Sequence, residues 1–278
     1  MAAQKRARAR AAAVYHPPRI RPIIAPALPG DGVWRPTFSP GGTRAPVLVT
    51  EFRPEALYPQ NVAGVAWIDH TRTSVWLYPG RLEPNVQMVS RGPMEIPPEL
   101  RGRLVATFNS GFKPSCRTPA AASCPVGTRT RRSRTVWRQS CATATATWTC
   151  ERWAGGPIAG PNIVYARQNL PLIVNNARLN PNPSDGPQWG ATLGNAMRVW
   201  RSGIGIHPHG NLIYAAANDM TVGSLAGVLR PAGAVRAMEL DINTHWTSFI
   251  TYQAPARSEQ PISSPQHGPL PAALPHSR

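Results

Sequence analysis

"VRAMELDINTHW", residues 235–246, sets two carboxylates one residue apart inside an otherwise apolar run. Glu239 and Asp241 are followed at the same spacing by Asn243 and His245. Successive side chains of a strand point to opposite faces. Met238, Leu240 and Ile242 are therefore expected in a core, with the odd-numbered set on a polar face. An ionised carboxylate in a dry place is costly unless it is paired or neutralised. The polar face is either a solvated sheet surface or the wall of a binding or catalytic cleft.

Outward from this stretch the pattern is regular. "AMRVWRSGIGIHPHGNLIYAAA" (196–217) reads as a hairpin connected by "HPHG". His207 and His209 lie close enough to suggest a metal. No carboxylate or cysteine sits at helical ligand spacing, so turn chemistry is the better reading. "DMTVGSLAGVLRPAG" (219–233) gives a short helix with Thr221 as N-cap. Its apolar stripe is Val222, Leu225, Ala226 and Leu229, and Pro231 and Gly233 end it. "LPLIVNNARL" (170–179) is a strand and an Asn-rich turn. Further upstream, "VAGVAWID" (62–69) and "TSVWLYPG" (73–80) read as consecutive strands joined by "HTRT". "GRLVATFNSGF" (102–112) is a strand over Leu104–Phe108 running into Asn109, Ser110 and Gly111. A glycine there lets the backbone turn sharply and a ligand approach; Asn109 is equally an ordinary turn residue. "IPPELRGR" (96–103) offers at most one helical turn. Hairpin, helix and strand in this order predict an α/β fold of the α+β type: a mixed, largely antiparallel sheet backed by helices.

The 278 residues fit one medium domain with tails. We assign 1–29 to a basic, Pro-rich tail, 30–252 to a single domain and 253–278 to a Pro/Ser-rich tail, with both termini expected to be disordered. No run approaches the roughly 18 apolar residues of a membrane helix. The basic start is followed by "VYHPPRIRPIIAPALPG", whose prolines and arginines interrupt any signal-peptide core. The net charge of +17 is concentrated in residues 1–22 and 114–156, each +6. Only about +4 belongs to the blocks that read as globular, too little for a phosphate-binding face. No specific nucleic-acid partner is therefore expected.

All four cysteines fall between 116 and 150, at spacings that match no zinc knuckle or redox motif. Residues 114–156 show neither strand alternation nor a helical stripe. With GC-rich codons, "ATATATWTC" (142–150) read from the third base becomes Asp-Gly-His-Gly-Asp-Val-Asp-Val, a turn and an alternating strand. The segment reads as translated out of frame, or alternatively as a low-complexity insertion, and is expected to form no packed layer.

"FNSGF" (108–112), "RSGIGI" (201–206) and "LDINTH" (240–245) resemble, in order, three signature segments of the phosphodiester glycosidase family. The family pattern runs N-G-G-F, R-[TS]-x-x-G, then a hairpin and helix, then L-D-G-G-G-S. Here Ser110 replaces the first glycine, and Ile242, Asn243 and Thr244 replace the last three. The resemblance implies hydrolysis of a sugar-1-phosphodiester, a link to exopolysaccharide or cell-envelope glycans, and an extracytoplasmic location, although no signal peptide is readable. It implies Asp241 and Glu239 as the carboxylates of glycoside cleavage. Arg201 would fork onto phosphate oxygens, and Asn109, Gly111 and Asn243 would bind substrate. No cofactor and no metal ligand set is read. The partner expected is a carbohydrate or sugar phosphate, and Asn109, Arg201, Glu239 and Asp241 should converge on one concave site. A catalytically inactive sugar-phosphate-binding relative is the alternative, favoured by the missing glycines.

Overall fold

The computed structural model describes residues 16–38, 44–78, 95–111, 134–140, 147–153, 163–181 and 187–253. Its strands in chain order are β1 (Arg35–Pro36), β2 (Val47–Phe52), β3 (Ala63–Ile68), β4 (Ala106–Phe108), β5 (Arg134–Ser140), β6 (Thr147–Trp153), β7 (Ile163–Asn169), β8 (Leu172–Asn175), β9 (Arg178–Leu179), β10 (Val199–Ile206), β11 (Leu212–Met220), β12 (Arg236–Glu239) and β13 (Phe249–Thr251). Eight of them form one sheet in the order β1-β2-β3-β11-β10-β12-β8-β9. Every pairing in it is antiparallel, and an isolated parallel bridge joins Asp31 to Glu51. β4 pairs with β13, and β6-β5-β7 form a third sheet. With one eight-residue helix, Val222–Leu229, and one helical turn, Pro98–Arg101, among the described residues, the class is α+β and sheet-dominated.

Alternation along the strands sorts the core onto two faces. Val65, Trp67, Ile213, Ala215 and Ala237 pack with Leu225 and Leu229 of the helix. Ala66, Ile68, Ile204, Leu212, Tyr214 and Met238 form the other face with Phe249 and Cys150. The helix starts where its N-terminus is satisfied: Thr221 accepts from Ser224 N, and Ser224 Oγ accepts in return from Thr221 N. It lies tight on β10 because of the glycines of "RSGIGI". A Cβ on Gly203 would come 3.0 Å from both Leu229 Cδ1 and the Met238 carbonyl oxygen, and one on Gly205 would come 2.6 Å from Ala234 Cβ.

Four expectations change. Residues 73–78 are irregular, while 79 and 80 lie outside the described residues. The hydrogen bonds of "HTRT" turn inward to Asp69: Thr71 N and Oγ1 donate to its carboxylate at 2.9 and 2.7 Å, and Thr73 Oγ1 to its carbonyl at 2.7 Å. The strand of 235–246 stops at Glu239. The segment assigned to the N-terminal tail is anchored from residue 16 on. Ile20 is buried, its N–H donates to Gly32 O at 3.0 Å, and Arg53 pairs with Asp31 at 3.3 Å with both side chains buried. Finally, the anomalous stretch does contribute structure, since β5 pairs with β6 and β7 and Cys150 is buried in the core. Residues 1–15 and 254–278, Cys116, Cys124 and Cys141 lie outside the described residues.

Candidate functional site

Arg201 and Ser202 are neighbours on β10 and so face opposite sides of the sheet. Arg201 points to the helix side with Glu239, and their side chains are 2% and 0% exposed. Arg201 Nη1 donates to Glu239 Oε1 at 2.5 Å. Nε donates to Met220 O at 2.8 Å, Nη2 to Met197 O at 3.1 Å and Nη1 also to Trp189 O at 3.4 Å. The Met220 carbonyl is aimed there by a bulge: Val199 opposes Met220 but Arg201 opposes Ala217, and Asp219 takes a left-handed φ of 53°. The guanidinium thus ties the sheet to the 189–197 connection. A charge removed from water this completely is held by its carboxylate and carbonyls, and the pair is closed to a substrate. Arg201 and Glu239, expected to grip phosphate and to do acid–base chemistry at an open cleft, are instead buried against each other on the helix side of the sheet.

Ser202, on the other face, is a junction. Its hydroxyl oxygen accepts from Asn109 Nδ2 at 2.8 Å and lies 3.2 Å from both the Asp241 N and O. The strand pairing continues past Glu239 as Leu240 N to Ser202 O, 2.7 Å, and Ser202 N to Asp241 O, 2.8 Å. Asn109 is fully engaged: Nδ2 also donates to Ser110 O at 3.0 Å, and Oδ1 accepts from Tyr214 Oη at 2.7 Å and Ser248 N at 3.1 Å. Asn109 therefore orients the site and does not offer its amide to a ligand. Tyr214 stands in an aromatic cluster with Phe108 and Phe249, centroids 5.5 and 5.1 Å away. Burial keeps its phenol protonated far above the usual tyrosine range; a hydrogen bond to Ser202 opposes this and the nearby Asp241 carboxylate reinforces it.

Asp241 is half-buried at the start of the loop after β12. Its Oδ1 accepts from Ile242 N at 2.7 Å and Asn243 N at 2.9 Å, a turn that fixes the carboxylate. Asn243 repeats the device one step on, accepting from His245 N at 2.9 Å, and is exposed. Glu239, Asp241, Asn243 and His245 therefore do not share a strand face, because the side chains of Asp241 and Asn243 cap their own backbone and curl it. Gly111 is glycine for packing: a Cβ would fall 2.1 Å from Asn169 Nδ2. That buried amide donates to Glu239 O at 2.5 Å and Leu240 O at 3.2 Å, holding the turn-out from β12 in place.

Of the six expected residues, Asn109 and Asp241 meet through Ser202, Arg201 and Glu239 meet on the far side of the sheet, Gly111 seats Asn169, and Asn243 lies at the surface. Tyr214, Asn169 and Ser248 were not foreseen. Tyr214 sits in the continuous apolar run "LIYAAA" and Asn169 at the end of "IVYARQN", and neither run marks a site residue. A concave region of about 380 Å3 lies at the opposite end of β10, around His207, His209 and Arg236. The "HPHG" connection is a tight turn, Gly210 N donating to His207 O at 2.8 Å and His209 N to His207 Nδ1 at 3.2 Å. Among the described residues no three His, Cys, Asp or Glu are placed to hold one metal ion.

The chain is thus a sheet-dominated α+β protein with a polar junction at one end of its central hairpin. No family model and no curated protein matches it. Among solved structures it is similar to the catalytic domain of zebrafish N-acetylglucosamine-1-phosphodiester alpha-N-acetylglucosaminidase, auto-inhibited by its pro-peptide, with 13% identity, 77% of this chain and 76% of that one covered, and a TM-score of 0.49. It is also similar to a hypothetical protein from Synechocystis, with 14% identity, 74% and 58% covered, and a TM-score of 0.40. Likenesses this distant assign no activity.

Proposed function

We propose that the protein acts on a sugar-1-phosphodiester, releasing free sugar and a phosphomonoester, with exopolysaccharide or envelope glycans as the source of substrate. One observation carries the reading. The three segments that resemble the phosphodiester glycosidases, far apart in the chain, meet at the Ser202 hydroxyl through Asn109 and Asp241. Hydrolysis breaks the bond between the anomeric carbon and the phosphate oxygen. Water supplies the sugar hydroxyl, and its remaining proton goes to the phosphomonoester. Asp241 is the carboxylate assigned to proton transfer or nucleophilic attack, and Asn243 binds sugar hydroxyls beside it. Ser202, Asn109 and Tyr214 position Asp241, while Arg201 and Glu239 brace β10 and β12 beneath it.

The burial of Glu239 favours a second reading. Glycoside cleavage generally uses a pair of carboxylates, and Asp241 is the one of the expected pair that reaches the surface. A binding protein for sugar phosphates would need no second acid. The two readings separate in one experiment, which incubates the chain with an alkyl phosphodiester of N-acetylglucosamine 1-phosphate and follows free sugar and ligand binding together. Sugar release lost in Asp241→Asn supports the hydrolase; saturable binding without release supports the binder. Absence of both overturns the assignment. If residues 114–156 are out of frame, restoring the frame should raise the measured activity.

A further inference from the structure

Among the described residues, the buried cations are matched by carboxylates, Arg53 by Asp31 and Arg201 by Glu239, and half-buried Arg198 by Glu55 and Asp219. Arg236 breaks the pattern. It opens β12 directly opposite Ile206 of β10 and Asn175 of β8. Directly opposed residues of an antiparallel pair share a face, so its side chain starts on the face that buries Ile206 and Cys150. Arg236 is only partly exposed, and among the described residues no carboxylate or carbonyl reaches its guanidinium. A guanidinium half out of water with no counter-ion gives up hydration without recovering it.

What it faces is the cleft of about 380 Å3 at the hairpin end of the sheet. Arg236 lines it together with His70, His207, His209, Asn176 and Cys150, and among the described residues no acid contributes. Two glycines are required to bring the histidines in. A Cβ on Gly233 would meet His207 Cδ2 at 2.8 Å, and Gly210, with φ of 85°, packs against the His70 ring. His70 is fixed by Asn211, whose Oδ1 lies 2.9 Å from its Nδ1 and accepts from its backbone N–H at 3.2 Å. Burial, reinforced by His209, lowers His207 to a pKa of about 4, so it is neutral and adds polarity without charge. A concave lining whose described residues include an Arg fork and no acid focuses positive potential on a small volume. The volume is at the lower end of the range for small-molecule sites.

We propose that this cleft binds a compact phosphate-bearing molecule, with Arg236 taking the phosphate oxygens in its planar fork. It is distinct from the Asp241 region. Ile206 and Ser202 are four residues apart on one strand, roughly 13 Å at the usual rise per residue.

Binding of inorganic phosphate and of glycerol phosphate to the whole chain, by calorimetry at constant ionic strength, tests this. The wild type and Asp241→Asn should bind alike, whereas Arg236→Gln should lose at least tenfold in affinity and Arg236→Lys a smaller factor. Equal binding by wild type and Arg236→Gln overturns the proposal, as does saturable zinc binding at this cleft in place of phosphate. Should Arg236→Gln fail to fold, phenylglyoxal modification of the wild type gives the answer. Phosphate should protect the peptide containing Arg236 several-fold and acetate should not; equal labelling with and without phosphate, or equal protection by acetate, overturns it.

Discussion

Replacing Glu239 by alanine should destabilise the protein far more than removing a surface acid would. Its carboxylate is 0% exposed and holds a guanidinium that is 2% exposed, so the truncation strands a positive charge in the core. Losing one partner of such a pair typically costs about 3–5 kcal/mol. Arg201 keeps the carbonyls of Met220, Met197 and Trp189, which places the expected loss near the lower end, about 3 kcal/mol. With a urea slope of about 2 kcal/mol/M, the midpoint should fall by about 1.5 M. Tryptophan fluorescence reports the transition, since Trp67 and Trp189 are both buried. The double variant Arg201→Met/Glu239→Leu removes both charges and should recover part of the loss, because an apolar pair of similar volume is often tolerated where a lone charge is not. Recovery should be incomplete, as three carbonyls then lose their donor. A Glu239→Ala loss below about 1 kcal/mol, or a double variant no more stable than the single one, would refute the argument that the pair is a buried brace.

Other outcomes follow from particular contacts. His207 has a pKa of about 4 in the fold against about 6.5 in the unfolded chain. The unfolded state therefore takes up the proton first, and stability is lost as pH falls from about 6.5 to about 4. The loss should reach at most about 3 kcal/mol, and it should be smaller by that amount in His207→Gln in urea titrations at pH 7 and pH 4. Ala177, with φ of 60° in the two-residue turn between β8 and β9, should gain up to about 1 kcal/mol when changed to glycine, seen as a raised Tm. Gly205→Ala should cost about 1–3 kcal/mol, because Ala234 Cβ would lie 2.6 Å from the new methyl group. Tyr214→Phe removes the donor to Asn109 Oδ1 and should cost about 1–2 kcal/mol in urea titration while weakening any activity that depends on Asp241.

The hairpin, the capped helix and the class of fold were legible in the sequence because their signals are local. Thr221 and Ser224 sit three residues apart, and the turn "HPHG" is flanked on both sides by strand-forming runs. β2 and β13 went unread, being short apolar runs with little to mark their ends. The run 235–246 misled for a physical reason. Asp241 and Asn243 can alternate with apolar residues as a strand does, yet their side chains also capture their own backbone N–H groups, and that local competition won. The placement of Arg201 with Glu239 was hidden because a residue's face depends on strand partners. Gly203 stands opposite Glu239, a pairing that sequence spacing does not encode.

The Ser202 junction sets when, as well as where, the candidate site comes into being. Asn109 reaches it across 93 residues and Asp241 across 39, so neither contact can form in a fragment that carries one segment alone. Closing loops of that length is entropically costly and slow compared with forming the hairpin between β10 and β11. The hairpin can pair early, but the hydroxyl it presents acquires both partners only once β4 has docked beside β13 and the chain beyond β12 has pulled in. Competence to bind at Asp241 should therefore appear as a late, all-or-none event in refolding, lagging the first burial of tryptophan.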